Sequence, residues 1–115
     1  ELVVSDIERA LEVLRPVHEG SDGLDGYVSV EVDPRLARDT VATEAQAREL
    51  WDRIDRPNLY VKIPATVEGL PAIRSMIAEG RNINVTLIFS LERYAAVMEA
   101  YVAGLEDAVA AGIDD

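Results

Sequence analysis

Residues Leu59-Tyr60-Val61-Lys62-Ile63 (LYVKI) decide the reading of this chain, because a short, mostly apolar run that reads as a strand holds a lysine between Val61 and Ile63. Lys62 is the only lysine; every other basic residue among the 11 is arginine. On a strand at the edge of a sheet, such a lysine faces solvent and discourages aggregation. On an internal strand the charged ammonium is costly to desolvate, and a protein tends to hold it neutral or paired. A neutral amine shielded from water is what attack on a carbonyl carbon requires.

Working outward, the same alternation of element types recurs on both sides. Ser5 and Glu8 have capping-box spacing, and Ile7, Ala10, Leu11 and Leu14 follow at helical intervals, so a helix is expected from about Asp6 to His18. Gly20, Gly23 and Gly26 end it. Tyr27 to Val32 (YVSVEV) reads as a strand closed by the Asp33-Pro34 turn. Thr43 and Gln46 repeat the capping-box spacing ahead of the stripe Ala47, Leu50, Trp51 and Ile54, a second helix that Pro57 must terminate. After LYVKI, Thr66 can cap a helix carrying Leu70, Ile73 and Ile77, with Gly80 in the place of a C-terminal glycine. Ile83 to Phe89 (INVTLIF) is a third strand. Ser90 caps a last helix, whose apolar stripe runs through Tyr94, Val97, Met98, Tyr101, Val102 and Leu105 and which Gly112 closes.

Helices alternating with three strands predict an α/β fold of parallel βα units. No low-complexity segment, linker-like run or composition shift divides the chain, so residues 1–115 read as a single segment. Three parallel strands neither cover both faces of a sheet nor close a barrel, so the segment reads as part of something larger.

Composition narrows the chemistry. An apolar fraction of 49% with 29% charged residues is that of a folded, soluble protein. No run is long enough to cross a bilayer, and Glu1 to Ala10 lacks the basic start and apolar centre of a signal peptide, so a cytoplasmic location is expected. The chain has no cysteine and a single histidine, His18, which argues against thiolate or histidine-rich metal sites. A net charge of −11 would repel a phosphate backbone, so nucleic acid is not an expected partner. The acidity itself reads as a solvated surface. Chemistry is left to carboxylates, hydroxyls, amides, arginines and Lys62.

In a parallel α/β fold the reactive groups gather at the carboxyl ends of the strands. Glu31 is the penultimate residue of the first strand and Lys62 is near the end of the second. Asn84 and Thr86, at alternate positions of the third, share a face. Glu31 can be a plain salt-bridge partner of Lys62, or a proton shuttle for making and dehydrating a carbinolamine. Asn84 and Thr86 can bond each other or a buried water, or join Lys62 and Glu31 in one polar set. His18 reads as a partly exposed capping residue; Trp51, Tyr94 and Tyr101 read as core.

The run Leu59-Tyr60-Val61-Lys62-Ile63-Pro64-Ala65-Thr66-Val67-Glu68-Gly69-Leu70 resembles the signature around the Schiff-base lysine of transaldolases. Val30-Glu31-Val32-Asp33-Pro34-Arg35-Leu36 resembles the segment bearing that family's catalytic glutamate, and Ile83-Asn84-Val85-Thr86-Leu87-Ile88-Phe89-Ser90 the one bearing its asparagine and threonine. The resemblance implies a (β/α)8 TIM barrel of which these are strands three to five. It implies an imine between Lys62 and a ketose phosphate, a water held and activated by Glu31 and Thr86, and Asn84 bonded to the substrate near the imine carbon. No cofactor and no metal is implied, since the protonated imine is itself the electron sink.

The family's first-strand aspartate, its second-strand signature and its phosphate-binding serine and arginine residues have no counterpart in these residues. The expectation is therefore a transaldolase segment, inactive by itself and prone to self-associate through exposed sheet edges. Two other readings stand beside it. One is a fructose-6-phosphate aldolase-like enzyme, against which the segment Glu31 to Asp39 and the long last helix speak. The other is a non-catalytic α/β binding module, although the chain has no G-x-G-x-x-G or P-loop pattern.

Overall fold

In a computed structural model that describes residues 2–113, the chain forms three parallel strands and four helices in strict alternation. Helix α1 (Leu2–Gly20) leads into β1 (Val28–Glu31), and a 3-10 turn (Pro34–Leu36) into α2 (Thr40–Ile54). Then come β2 (Leu59–Pro64), α3 (Gly69–Ala78), β3 (Ile83–Thr86) and α4 (Leu91–Ala110). The strands lie in the order β1-β2-β3, so the lysine strand is the central one. The edge-strand reading of Lys62 is thereby excluded. No helix among the described residues is long and apolar enough to cross a membrane.

Strand alternation sorts the residues onto two faces. Val30, Leu59, Val61 and Ile63 point toward the helices and are at most 6% exposed. There they pack with Leu11 of α1, Ile54 of α2, and Ile73 and Met76 of α3. Each such side chain stabilises the fold by about 1.5–3 kcal/mol through its removal from water. Ser29, Glu31, Tyr60, Lys62, Asn84 and Thr86 occupy the opposite face. That face is more open: Glu31 is exposed and Ser29, Lys62 and Asn84 are half-buried, while α4 borders its lower end, where Tyr60 shares a cavity with Tyr101, Leu105 and Ala108.

Two buried joints fix α1 and the loop after it against β2. Asn58, fully buried, donates from Nδ2 to the carbonyls of Leu11 and Gly26, each at 3.0 Å. Gly26 has φ +79°, and a Cβ there would lie 2.4 Å from the backbone nitrogen of His18, so only glycine fits. His18 is partly buried, its ring edge against Tyr27 at a centroid distance of 5.0 Å.

Several boundaries differ from expectation. Ser5 does not cap α1, which already runs from Leu2 and continues through Pro16. Helix α2 begins at Thr40 rather than Thr43: Asp39 caps it by accepting from Ala42 N at 2.9 Å. The residues with capping-box spacing are used elsewhere. Thr43 donates to Leu36 O at 2.8 Å, and Gln46 accepts from Asp33 N. Strand β3 stops at Thr86 instead of Phe89, because Leu87 turns into the left-handed region at φ +63°. Ser90 caps α4 as expected, accepting from Arg93 N at 3.0 Å, whereas the N-cap of α3 is Glu68 and Thr66 accepts from Gly69 N at 3.0 Å from the turn before it. Arg81 N and Gly80 N close α3 on the carbonyls of Met76 and Ile77, with Gly80 at φ +73°.

The apolar stripe of α4 is the largest correction. Helix α4 packs on α3 through Val97, Gly104 and Ala108, whereas Tyr94 and Tyr101 are 51% and 48% exposed. They are not core. Trp51, by contrast, does pack against the core.

Candidate functional site

The polar face of the sheet brings the candidate residues together by register alone. Glu31 on β1 lies opposite Lys62 on β2, and Lys62 lies opposite Asn84 on β3, so the three form one row across the sheet. Thr86 follows one step higher, opposite Pro64, and its carbonyl accepts from Ala65 N at 2.8 Å. Glu31 is the last residue of β1 and Lys62 lies in the second half of β2, whereas Asn84 is the second residue of β3; Thr86 ends that strand, on the side where the connecting loops converge.

Lys62 Nζ is 3.4 Å from Glu31 Oε1. The lysine side chain is 30% exposed and the glutamate 55%, so the amine is paired rather than sealed away from water. A carboxylate at this distance can take a proton from the ammonium and return it later, which is the exchange a nucleophilic amine needs. The Thr86 hydroxyl is buried and has no hydrogen-bond partner among the described residues, an arrangement uncommon enough in folded proteins to mark a group available to a further polar atom. Asn84 donates from Nδ2 to Ser29 Oγ at 3.2 Å. All four candidate residues thus share one face, three of them in a single row.

Residues outside the expected set also shape the site. Ser29 was not singled out in the sequence, although its position two residues before Glu31 puts it on the same face. Tyr60, two residues before Lys62, lies one step lower; its ring packs on Tyr27 at a centroid distance of 4.5 Å, and burial raises its phenol above the usual range, helped by Tyr27 and Tyr101. Beyond the strand ends, a cavity of about 430 Å³ is lined by Arg38, Thr66, Glu68, Phe89, Ser90 and Arg93. Lys62 does not line it. Among the described residues no group of three or more histidine, cysteine or acidic side chains is arranged to hold a metal ion.

Comparison with known proteins identifies the family. The family model described as Transaldolase/Fructose-6-phosphate aldolase matches residues 1–112. A transaldolase of Thermobifida fusca is 68% identical over 109 residues, which are 95% of this chain and 30% of that protein. The transaldolases of Parafrankia sp. and Acidothermus cellulolyticus are 57% and 58% identical, each over 113 residues and 98% of this chain. The chain spans about 30% of the length of these curated relatives. With a lysine–carboxylate pair on the central strand and a family match over almost its full length, the chain belongs to the transaldolase/fructose-6-phosphate aldolase family.

Proposed function

We propose that this chain supplies the imine-forming part of a transaldolase, with β1, β2 and β3 as the third, fourth and fifth strands of a (β/α)8 barrel. The observation that carries the reading is the row Glu31–Lys62–Asn84 on the polar face, with Lys62 Nζ 3.4 Å from the carboxylate. In a closed barrel this face would be the interior.

Glu31 takes a proton from the Lys62 ammonium, and the neutral amine attacks the ketone carbon of a ketose phosphate such as fructose 6-phosphate. The resulting carbinolamine loses its hydroxyl as water, using a proton returned by Glu31 directly or through a water held by Thr86. Asn84 bonds a substrate hydroxyl beside the imine carbon. The protonated imine then takes up the electron pair of the breaking carbon–carbon bond, and the three-carbon unit left on Lys62 passes to an aldose phosphate. The group that takes the proton during cleavage and the groups that hold the phosphate belong to strands outside this chain. The 115 residues alone are therefore expected to show little turnover.

The test is borohydride trapping in the full-length protein. Fructose 6-phosphate should add the mass of a reduced sugar to the peptide containing Lys62, and the Lys62→Met variant should gain none. A trapped sugar in that variant would falsify the assignment. Release of the three-carbon product without erythrose 4-phosphate would favour the aldolase branch of the family over transfer.

Self-association belongs to the same reading. Strands β1 and β3 each have one unpaired edge, and the half-exposed stripe of α4 has no partner helix among the described residues. Sedimentation of the 115-residue chain should show oligomers, and a monodisperse monomer at high concentration would end that part of the proposal.

A further inference from the structure

Asn84 makes no side-chain hydrogen bond to Lys62, its neighbour in the row. Its Nδ2 reaches Ser29 Oγ at 3.2 Å, on the far side of the central strand. Adjacent strands are about 4.8 Å apart, so β1 and β3 are separated by about 10 Å. Ser29 is in register with Tyr60, and Asn84 with Lys62. By register the bond therefore runs diagonally across β2, between the positions of Tyr60 and Lys62. Both partners are only partly buried, so burial does not force them to satisfy each other. No other side-chain hydrogen bond to either is present among the described residues.

We propose that Ser29 is a positioning residue for the imine-forming site, holding the Asn84 carboxamide beneath Lys62 so that its Oδ1 faces the substrate. The inference rests on the transaldolase reading and deepens it. An amide free to rotate presents its donor and acceptor edges in turn; one tethered through Nδ2 presents Oδ1 as a fixed acceptor. A hydroxyl of the substrate next to the imine carbon can then donate to it. Preset geometry of this kind acts on the reacting complex more than on initial binding, because the cost of orienting the group is met during folding. Ser29 need not touch the substrate to have this effect.

The experiment is a kinetic cycle on the full-length protein with Ser29→Ala, Ser29→Thr, Asn84→Ala and the Ser29→Ala/Asn84→Ala double variant. Ser29→Ala should lower kcat about tenfold, with KM for fructose 6-phosphate within about twofold of the parent. Ser29→Thr keeps the hydroxyl and should return kcat to within about twofold of the parent, a rescue that a packing role would not give. The double variant should be no slower than Asn84→Ala alone, since a tether has no effect once the tethered group is gone. Parent-like turnover in Ser29→Ala, failure of rescue by threonine, or fully multiplicative losses in the double variant would each overturn the role of Ser29. Borohydride trapping on Lys62 runs in parallel. A parent that traps no sugar phosphate brings down the transaldolase reading and Ser29 with it, whereas a parent that traps while Ser29→Ala turns over normally overturns Ser29 alone.

Discussion

The two faces of the sheet are built from the same strands yet have little in common. On the helix side Val61 and Ile63 are fully buried and their neighbours are aliphatic. On the other side Lys62, set between them, is 30% exposed and faces a carboxylate. One face holds the strands in place, and the other receives from them a fixed row of functional groups. The division means that a substitution should damage either stability or chemistry according to the parity of its position, and not both equally.

The largest effect is expected on the polar face. Lys62→Met in the full-length protein should lower turnover by several orders of magnitude, while the denaturation midpoint changes by no more than about 0.5 kcal/mol equivalent. A large loss of stability in that variant would blur the division, because it would make the lysine part of the scaffold. The converse is expected at Ile73, fully buried on α3. Ile73→Ala should destabilise by about 2–5 kcal/mol in urea titrations, with kcat per folded molecule unchanged. A fall in kcat without a shift in midpoint would break the comparison from the other side.

A smaller effect is expected where α4 crosses α3. A Cβ on Gly104 would lie 2.8 Å from the carbonyl of Arg74 and 2.8 Å from Cβ of Ile77, so the helices must move apart to admit it. Gly104→Ala should cost about 1–3 kcal/mol, measured as the same midpoint shift, and a stabilised variant would show that the crossing is loose. The smallest effect is a pH dependence at Asp33, which follows β1. Hydrogen bonds from Arg35 hold its carboxyl at about 2, below the ordinary 3.8. A lowered folded-state pKa gives stability that is present above the ordinary value and lost as pH falls through that window toward about 2. Thermal midpoints of the parent and Asp33→Asn should differ slightly at about pH 6 and converge near pH 2 as the parent's carboxyl protonates. A gap that persists at low pH would assign the difference to something other than the carboxylate.

Much of this was legible in the residues. The composition of YVSVEV and LYVKI located β1 and β2, the strand-end rule pointed to Glu31, Lys62, Asn84 and Thr86, and alternation put the last two on one face. The helix starts were less legible, because capping-box spacing states only that a hydroxyl and a carboxamide lie three residues apart. Thr43 and Gln46 satisfy it and spend their groups on Leu36 and Asp33 instead. The end of β3 was hidden because Leu87-Ile88-Phe89 is as apolar as a strand interior; the left-handed Leu87 that stops it has no sequence signal. The stripe of α4 was read as core because periodicity reports an apolar face and not what lies against it. Ser29 was missed for a simpler reason: a serine in a strand is unremarkable until its partner is known.

Asn58 adds a consequence in time rather than in energy. Its carboxamide bonds carbonyls that lie 47 and 32 residues earlier in the chain. Contacts so distant along the chain must wait for large loops to close, and they belong to the late events of folding. Removing that side chain should then leave the refolding rate nearly unchanged and hasten unfolding, a pattern that stopped-flow arms of a chevron separate directly. An unfolding rate like the parent's, with slowed refolding, would place the joint early instead. If it is late, Asn58 governs not how quickly the folded state is reached but how long each molecule keeps it.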